Sequence, residues 1–181
     1  MQFILFPESV SERIIITAEL PKGVSLKENK RQIAQIENLL IKSKKSEISS
    51  FSTRIGMWAD EIKTRMRDNW SVIYIDLTPY GKRKRVAREI VEELRIKVKK
   101  VKNFKSINFN IVSGGPPVGR PIDIQIVGAD DNLRNKLALS VEQKLKSIRG
   151  VKDIENDQRP GKEEIQLLFN YEKLSRLGLN L

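Results

Sequence analysis

IIITAELPKG (Ile14 to Gly23) and VIYIDLTPYG (Val72 to Gly81) are the stretches whose reading decides the fold. Each is an apolar run that ends in a Pro-x-Gly break and is followed by an amphipathic helical pattern. A shift of 58 residues, from Ile14 to Val72, superposes Leu20 on Thr78, Pro21 on Pro79 and Gly23 on Gly81. The helix stripe follows the same shift, with Ile33, Ile36 and Leu40 matching Val91, Leu94 and Val98. The next strands, EISSF and SINFN, arrive at nearly the same offset, so two units give βαββαβ. That order closes into one sheet covered by two helices, an α+β, ferredoxin-like split βαβ sandwich.

A third unit begins after this pair. PIDIQIV reads as a strand, DNLRNKLALSVEQKLKSIRG as a helix and VKDIEND as a further strand, without a fourth unit to complete them. The expectation is a complete subdomain over 6–112, a linker over 113–121 and an incomplete second βαβ subdomain over 122–181. The linker SGGPPVGRP (Ser113 to Pro121) holds three glycines and three prolines, which suits a stiff turn-rich connection. An open strand edge in the half-built part would be covered by self-association.

Helix boundaries follow from local chemistry. Ser25 with Glu28 reads as a capping box for a helix running to about Ser43. On the second helix Ala87, Ile90, Val91, Leu94, Val98 and Val101 form the sheet-facing stripe. On the third, Leu133, Leu137, Val141, Leu145 and Ile148 share a face, Asp130 or Asp131 caps the start, and Gly150 supplies a left-handed stop.

Composition excludes much chemistry. The chain has no Cys and no His, which removes disulfides, thiolate metal sites, the commonest general base and every Ser-His or Cys-His arrangement. Neither a catalytic site nor a cofactor is expected. No apolar run is long enough to span a bilayer, and MQFILFPES is too short and too poor in basic residues for a signal peptide. The net charge of +11 is concentrated between Lys82 and Lys105, where eleven basic residues face Glu89, Glu92 and Glu93. The main reading is a solvated helix face opposite the buried stripe. A sharper one is a phosphate-tracking patch for RNA or anionic lipid. A ferredoxin-like RNA binder needs stacking aromatics on its open sheet face. WSVIYIDL supplies Trp70 and Tyr74 without the usual pattern, and alternation puts Phe109 with Ile107 and Ile111 on the core side. A stand-alone basic RNA-binding module is therefore the alternative reading. RIGMWADEIKTRMRDN (Arg54 to Asn69) is longer than a hairpin loop requires, which marks it as a candidate functional loop.

Several motifs in order carry a family resemblance. FPE (Phe6 to Glu8), ELPKGVSL (Glu19 to Leu26), GGPPVGRPIDIQIVGAD (Gly114 to Asp130) and GVKDIENDQRPGKEEIQLLFNYEKLSRLGLN (Gly150 to Asn180) resemble the second periplasmic porter region of resistance-nodulation-division (RND) efflux permeases of the acriflavine-resistance type. The resemblance implies one complete porter subdomain and the first half of another, completed elsewhere in the parent, so that the chain would be an excised piece. It implies the periplasmic portion of a bacterial inner-membrane protein: a proton-driven pump that exports small amphiphilic molecules. The parent would be a homotrimer working with a periplasmic adaptor and an outer-membrane channel, and its proton relay would lie in membrane helices outside these residues. Nucleic acid would not be a partner.

In that family a Phe- and Gly-rich loop between the middle strands of the first subdomain faces substrate. The corresponding segment here is Phe51 to Asn69, with Phe51, Gly56, Met57 and Trp58 as substrate-facing candidates. The loop departs from the family in its charges at Asp60, Glu61, Lys63 and Arg65. Packing under the loop is the competing role for Phe51 and Trp58. Met57 and Met66 raise a metal-efflux variant, since thioethers are soft ligands, but two methionines without Cys or His are more often gap fillers. No metal site is assigned. The Asp130-Asp131 pair is explained by helix capping.

Overall fold

The computed structural model describes residues 10–59, 64–112, 122–156, 170–176 and 178. Four strands, β1 (Arg13–Glu19), β2 (Ile48–Ala59), β3 (Thr64–Leu77) and β4 (Ser106–Val112), form one antiparallel sheet in the order β2-β3-β1-β4. Helix α1 (Leu26–Ile41) connects β1 to β2, and α2 (Ala87–Val98) connects β3 to β4. This is the ferredoxin-like arrangement anticipated from the two repeated units. Both helices pack on one face, where Ile14, Ile16 and Ala18 of β1 meet Ile33, Ile36 and Leu40 of α1 and Ile90, Leu94 and Val98 of α2.

The sequence repeat needs one correction, and it concerns which face each strand residue takes. The 58-residue shift holds for the helices, whose matched residues are all buried. For β1 and β3 it pairs Ile14 with Val72, yet Ile14 lies in the helix-side core and Val72 on the opposite face. The true equivalents of Ile14 and Ile16 are Ile73 and Ile75, one residue further on. Strand side chains alternate, so a slip of one exchanges the two faces. The Pro-x-Gly breaks also differ. Gly23 has φ +84, a conformation that favours glycine, whereas Gly81 sits in a short 3-10 turn over Tyr80–Lys82.

Local signals account for the helix starts. The Ser25 side chain accepts from the Glu28 amide at 3.3 Å. The reciprocal half of the expected capping box is replaced, because the Glu28 carboxylate accepts from Arg31 and Gln32 instead. At the third helix, α3 (Asp131–Ser147), Asp130 is the cap, accepting from the amides of Asn132 and Leu133. Gly150, with φ +94, takes the left-handed conformation after it.

Beyond β4 the packing changes. No residue of α3 is buried, and Leu133, Leu137 and Ile148 are about half exposed or more. Of the expected strand-helix-strand unit, only the helix forms as an element: 122–127 and 151–156 pair with no strand among the described residues. A short helix, α4 (Tyr171–Arg176), follows. The linker 113–121 lies outside the described residues, as do Phe6 to Glu8.

Segment 151–156 nevertheless rests on the first unit. Arg95 of α2 donates to both carboxylate oxygens of Asp153, at 2.9 Å through Nη1. Asp153 also accepts from the Phe109 amide at 3.2 Å, on the edge strand β4. Asn108 donates to Glu155 at 2.8 Å, and Lys152 pairs with Glu92 at 2.8 Å. Arg95 lies 4.9 Å from the Phe109 ring centroid, so its guanidinium is held by a carboxylate and an aromatic face together. Burial, the largest influence on Arg95, opposes its charge, but Asp153 and Glu92 outweigh it and keep the guanidinium above its ordinary value.

Candidate functional site

The segment read as a long loop, Arg54 to Asn69, is mostly strand. β2 and β3 extend as a hairpin in which Met57, Trp58 and Ala59 oppose Met66, Arg65 and Thr64. The physical reason is an irregularity. Between Ile55 and Met57 the register shifts, so β3 spends several residues, around Arg67 to Trp70, without a regular partner on β2. Such bulges bend a strand and re-aim its side chains. Gly56 sits at this point with φ +80, and a Cβ there would come 2.8 Å from the Leu26 side chain at the start of α1.

A buried polar group holds the bend. Asn29 is fully buried on α1; its amide donates to the carbonyls of Asp68 (2.6 Å) and Trp70 (2.8 Å), and its oxygen accepts from the Ser71 hydroxyl at 2.7 Å. Asn69 donates from its side chain to the Leu20 carbonyl at 2.8 Å. The Asp68 and Trp70 carbonyls are thus satisfied by a side chain, and the Asn69 carbonyl by the Leu20 amide at 2.8 Å, where the β2 ladder cannot serve them. Sequence reasoning missed Asn29. Its only signal was a polar residue one turn from Ile33 on the stripe of an amphipathic helix.

The bend carries Met57 and Ala59 to the sheet face opposite the helices, where they pack with Ile15 and Val72 and with the partly buried Tyr74 and Val112. The four candidate residues therefore do not form one group. Phe51 packs against the helix-side core, Gly56 is the bend, Met57 belongs to the outer cluster, and Trp58 is buried outside both clusters. Met66, opposite Met57 in the hairpin, is 79% exposed. The tip, including Asp60, Glu61 and Lys63, lies outside the described residues. The resulting surface is a small aliphatic cluster with Tyr74 at its margin, Arg54 5.8 Å from the Tyr74 ring, and Asn108 and Asn110 alternating outward on β4. Its members Ile15, Met57, Ala59 and Val72 are themselves buried, so the apolar area left open to a ligand is that of the half-buried Tyr74 and Val112, beside a few polar groups.

This face does not support the RNA-binding alternative. The places where stacking aromatics would stand are taken by Ile15 and Val72, and Met57 and Ala59 cover them. Phe109 packs with Ile107 and Ile111 toward the helices, as alternation required.

The basic stretch is partly consumed by structure. Arg83 is buried and donates to the carbonyls of Thr78 and Arg85 at 3.0 Å, and burial lowers its pKa. Arg85 bridges Glu47 and Glu93, and these hydrogen bonds, Glu47 first, raise its pKa. Lys97 pairs with Glu93.

Comparison with known proteins places this geometry. The model of the AcrB/AcrD/AcrF family matches residues 2–181. The multidrug resistance protein MdtC of Salmonella typhi is 24% identical over 118 residues, covering 64% of this chain and 12% of that protein. MdtC of Salmonella newport (strain SL254) matches with the same identity and coverage. Two crystal forms of a heavy metal efflux pump superpose on 97% of this chain and 19% or 18% of theirs. Their TM-scores are 0.69 and 0.71 at 17% and 18% identity, a likeness of fold. The chain thus spans a small part of the length of the proteins it matches.

Proposed function

Because the chain belongs to the AcrB/AcrD/AcrF family, as the resemblance to RND permeases anticipated, we propose that it is a substrate-conducting porter region of a proton-driven efflux pump for small amphiphilic molecules. The observation that carries the reading is the family match across 2–181, joined to a fold that superposes on efflux-pump structures over nearly the whole chain. In this reading the chain is the periplasmic portion of an inner-membrane protein that acts as a trimer with an adaptor and an outer-membrane channel. No helix among the described residues is long and apolar enough to cross a membrane, so proton relay falls to segments outside them. The region conducts and does not catalyse.

Amphiphiles fit the outer face better than metal ions do. The half-buried Tyr74 and Val112 at the margin of the outer cluster offer aromatic and aliphatic contact, and the chain supplies neither Cys nor His to complete a soft-metal site. The two methionines also differ in environment, one buried in the cluster and one exposed.

The test is made in the permease that contains this chain, expressed in a pump-deficient bacterium. Tyr74→Ala, at the margin of the outer cluster, is expected to lower protection against amphiphilic dyes about tenfold at unchanged protein level, by removing an aromatic contact. Protection by the unaltered permease against silver or copper salts alone would overturn the substrate class.

A further inference from the structure

The helix layer carries a second surface, remote in composition from the outer sheet face. Near Gln32, where Asn103 donates to its side chain, the last turns of α1 begin to run against the end of α2. A groove between the two helices is lined by Asn38, Leu39 and Lys42 on one side and Lys97, Lys100 and Val101 on the other. Lys42, Lys44, Lys45, Lys99, Lys100 and Lys102 are all exposed, and none has a carboxylate within salt-bridge distance among the described residues. Two large aliphatic side chains are exposed on the same two helices: Ile41 is 66% exposed and Ile96 64%. Ile41 lies one turn from the groove residue Asn38, and Ile96 one turn from Lys100.

We propose that this face binds the surface of an anionic phospholipid bilayer, the lysines meeting lipid phosphates and Ile41 and Ile96 entering the headgroup layer. Three observations select that occupant. The cations left outside salt bridges on this face are lysines, flexible point charges suited to a diffuse anionic surface, while Arg83, Arg85 and Arg95, with their planar forks, are engaged within the fold, Arg83 on carbonyls and Arg85 and Arg95 on carboxylates. Exposed isoleucines together with lysines are the pattern of interfacial insertion, and each adds apolar area that a nucleic acid would not cover. The groove-lining residues include no aromatic side chain on which a base could stack. Each lysine near an anionic bilayer strengthens binding about fivefold, so six of them give a usable affinity without a deep pocket.

This inference is independent of the transport reading, because it concerns the opposite layer of the sandwich and needs no substrate. Its test is flotation of the full chain with vesicles of equimolar phosphatidylglycerol and phosphatidylcholine, against vesicles of phosphatidylcholine alone, over rising salt. Binding is expected only to the anionic vesicles and is expected to weaken with salt. Replacing Lys42, Lys100 and Lys102 together by Gln is expected to weaken it about a hundredfold. Ile41→Ser with Ile96→Ser, which leaves the charge intact, is expected to weaken it about tenfold. Gln at Lys136, Lys144 and Lys173, exposed lysines of α3 and α4, removes the same charge and is expected to leave most binding in place. The proposal is overturned if that control weakens binding as much as the groove variant, since net charge alone then explains it. It is equally overturned if the isoleucine variant binds normally. Tighter binding of single-stranded RNA at the same salt, abolished by the groove variant, would assign the face to nucleic acid instead. All substituted positions are exposed, and an unchanged melting temperature in each variant shows that loss of binding is not loss of fold.

Discussion

Helices α1 and α3 carry similar apolar stripes and have opposite fates. In α1, Ile33, Ile36 and Leu40 are buried against β1 and its neighbours, while in α3 the equivalent stripe of Leu133, Leu137 and Ile148 stays largely open. The difference is not in the helices, since each has a working N-cap, Ser25 for one and Asp130 for the other. It lies in the sheet. α1 has four paired strands beneath it, and the strand-like segments flanking α3 are unpaired among the described residues. An amphipathic helix signals that a partner surface is needed, without supplying one.

The largest expected effect breaks this contrast directly. Ile36→Ala should cost about 2–5 kcal/mol in chemical denaturation, because it empties a fully buried site. Leu137→Ala, the same kind of deletion on α3, should cost less than about 0.5 kcal/mol. Equal losses would mean that α3 is packed as α1 is.

Next in size is Asn29→Ala, expected to cost about 2–3 kcal/mol by stranding two carbonyls and the Ser71 hydroxyl in the interior. Hydrogen exchange should then speed up in Met57 to Ala59 and Thr64 to Asn69 while the Ile14 to Ala18 amides remain protected. Uniform acceleration would show that Asn29 serves the whole fold and not the bend.

Asp153→Asn tests the strap between the two regions. It weakens the contact with Arg95 and the cap on the Phe109 amide, at an expected cost of about 1–2 kcal/mol. Proteolysis within 148–156 should become faster while the core of the first unit resists. An unchanged digestion pattern would mean that segment 151–156 is held by other contacts.

The smallest effect is a pH dependence, tested on two carboxylates of the first unit. Glu47 accepts from Arg85, and this hydrogen bond holds its carboxyl below the ordinary value of 4.5; Glu93 is lowered by Lys97 and Arg85. A depressed native pKa stabilises the fold above the unfolded value, and that contribution is lost as pH falls through the native one. Stability should therefore decline below about pH 4.5, and Glu47→Gln should flatten the decline. An unaltered acid limb in that variant would remove the Arg85 pair from the explanation.

Much of the first unit was legible before its structure. The stripes of α1 and α2, the inward side of Phe109 with Ile107 and Ile111, and the closing of two units into one sheet all follow from periodicity. The candidate site was less so. Its residues were found as a group in sequence, yet the bulge at Gly56 sends Phe51 and Met57 to opposite faces. Period-two reasoning fails at a register shift, because one irregular residue reverses every assignment after it.

The amino-acid sequence by itself determined the order of elements, the buried faces of α1 and α2, the exclusion of Cys and His chemistry, and the family. The tertiary structure alone decided the one-residue slip between β1 and β3, the folding of the hairpin onto the outer face, the role of Asn29 and the docking of Asp153 on Arg95. The first set depends on neighbours a few residues apart along the chain. The second depends on which residues, 39 to 58 positions apart in the contacts named here, come to share a hydrogen bond, and no local pattern records that.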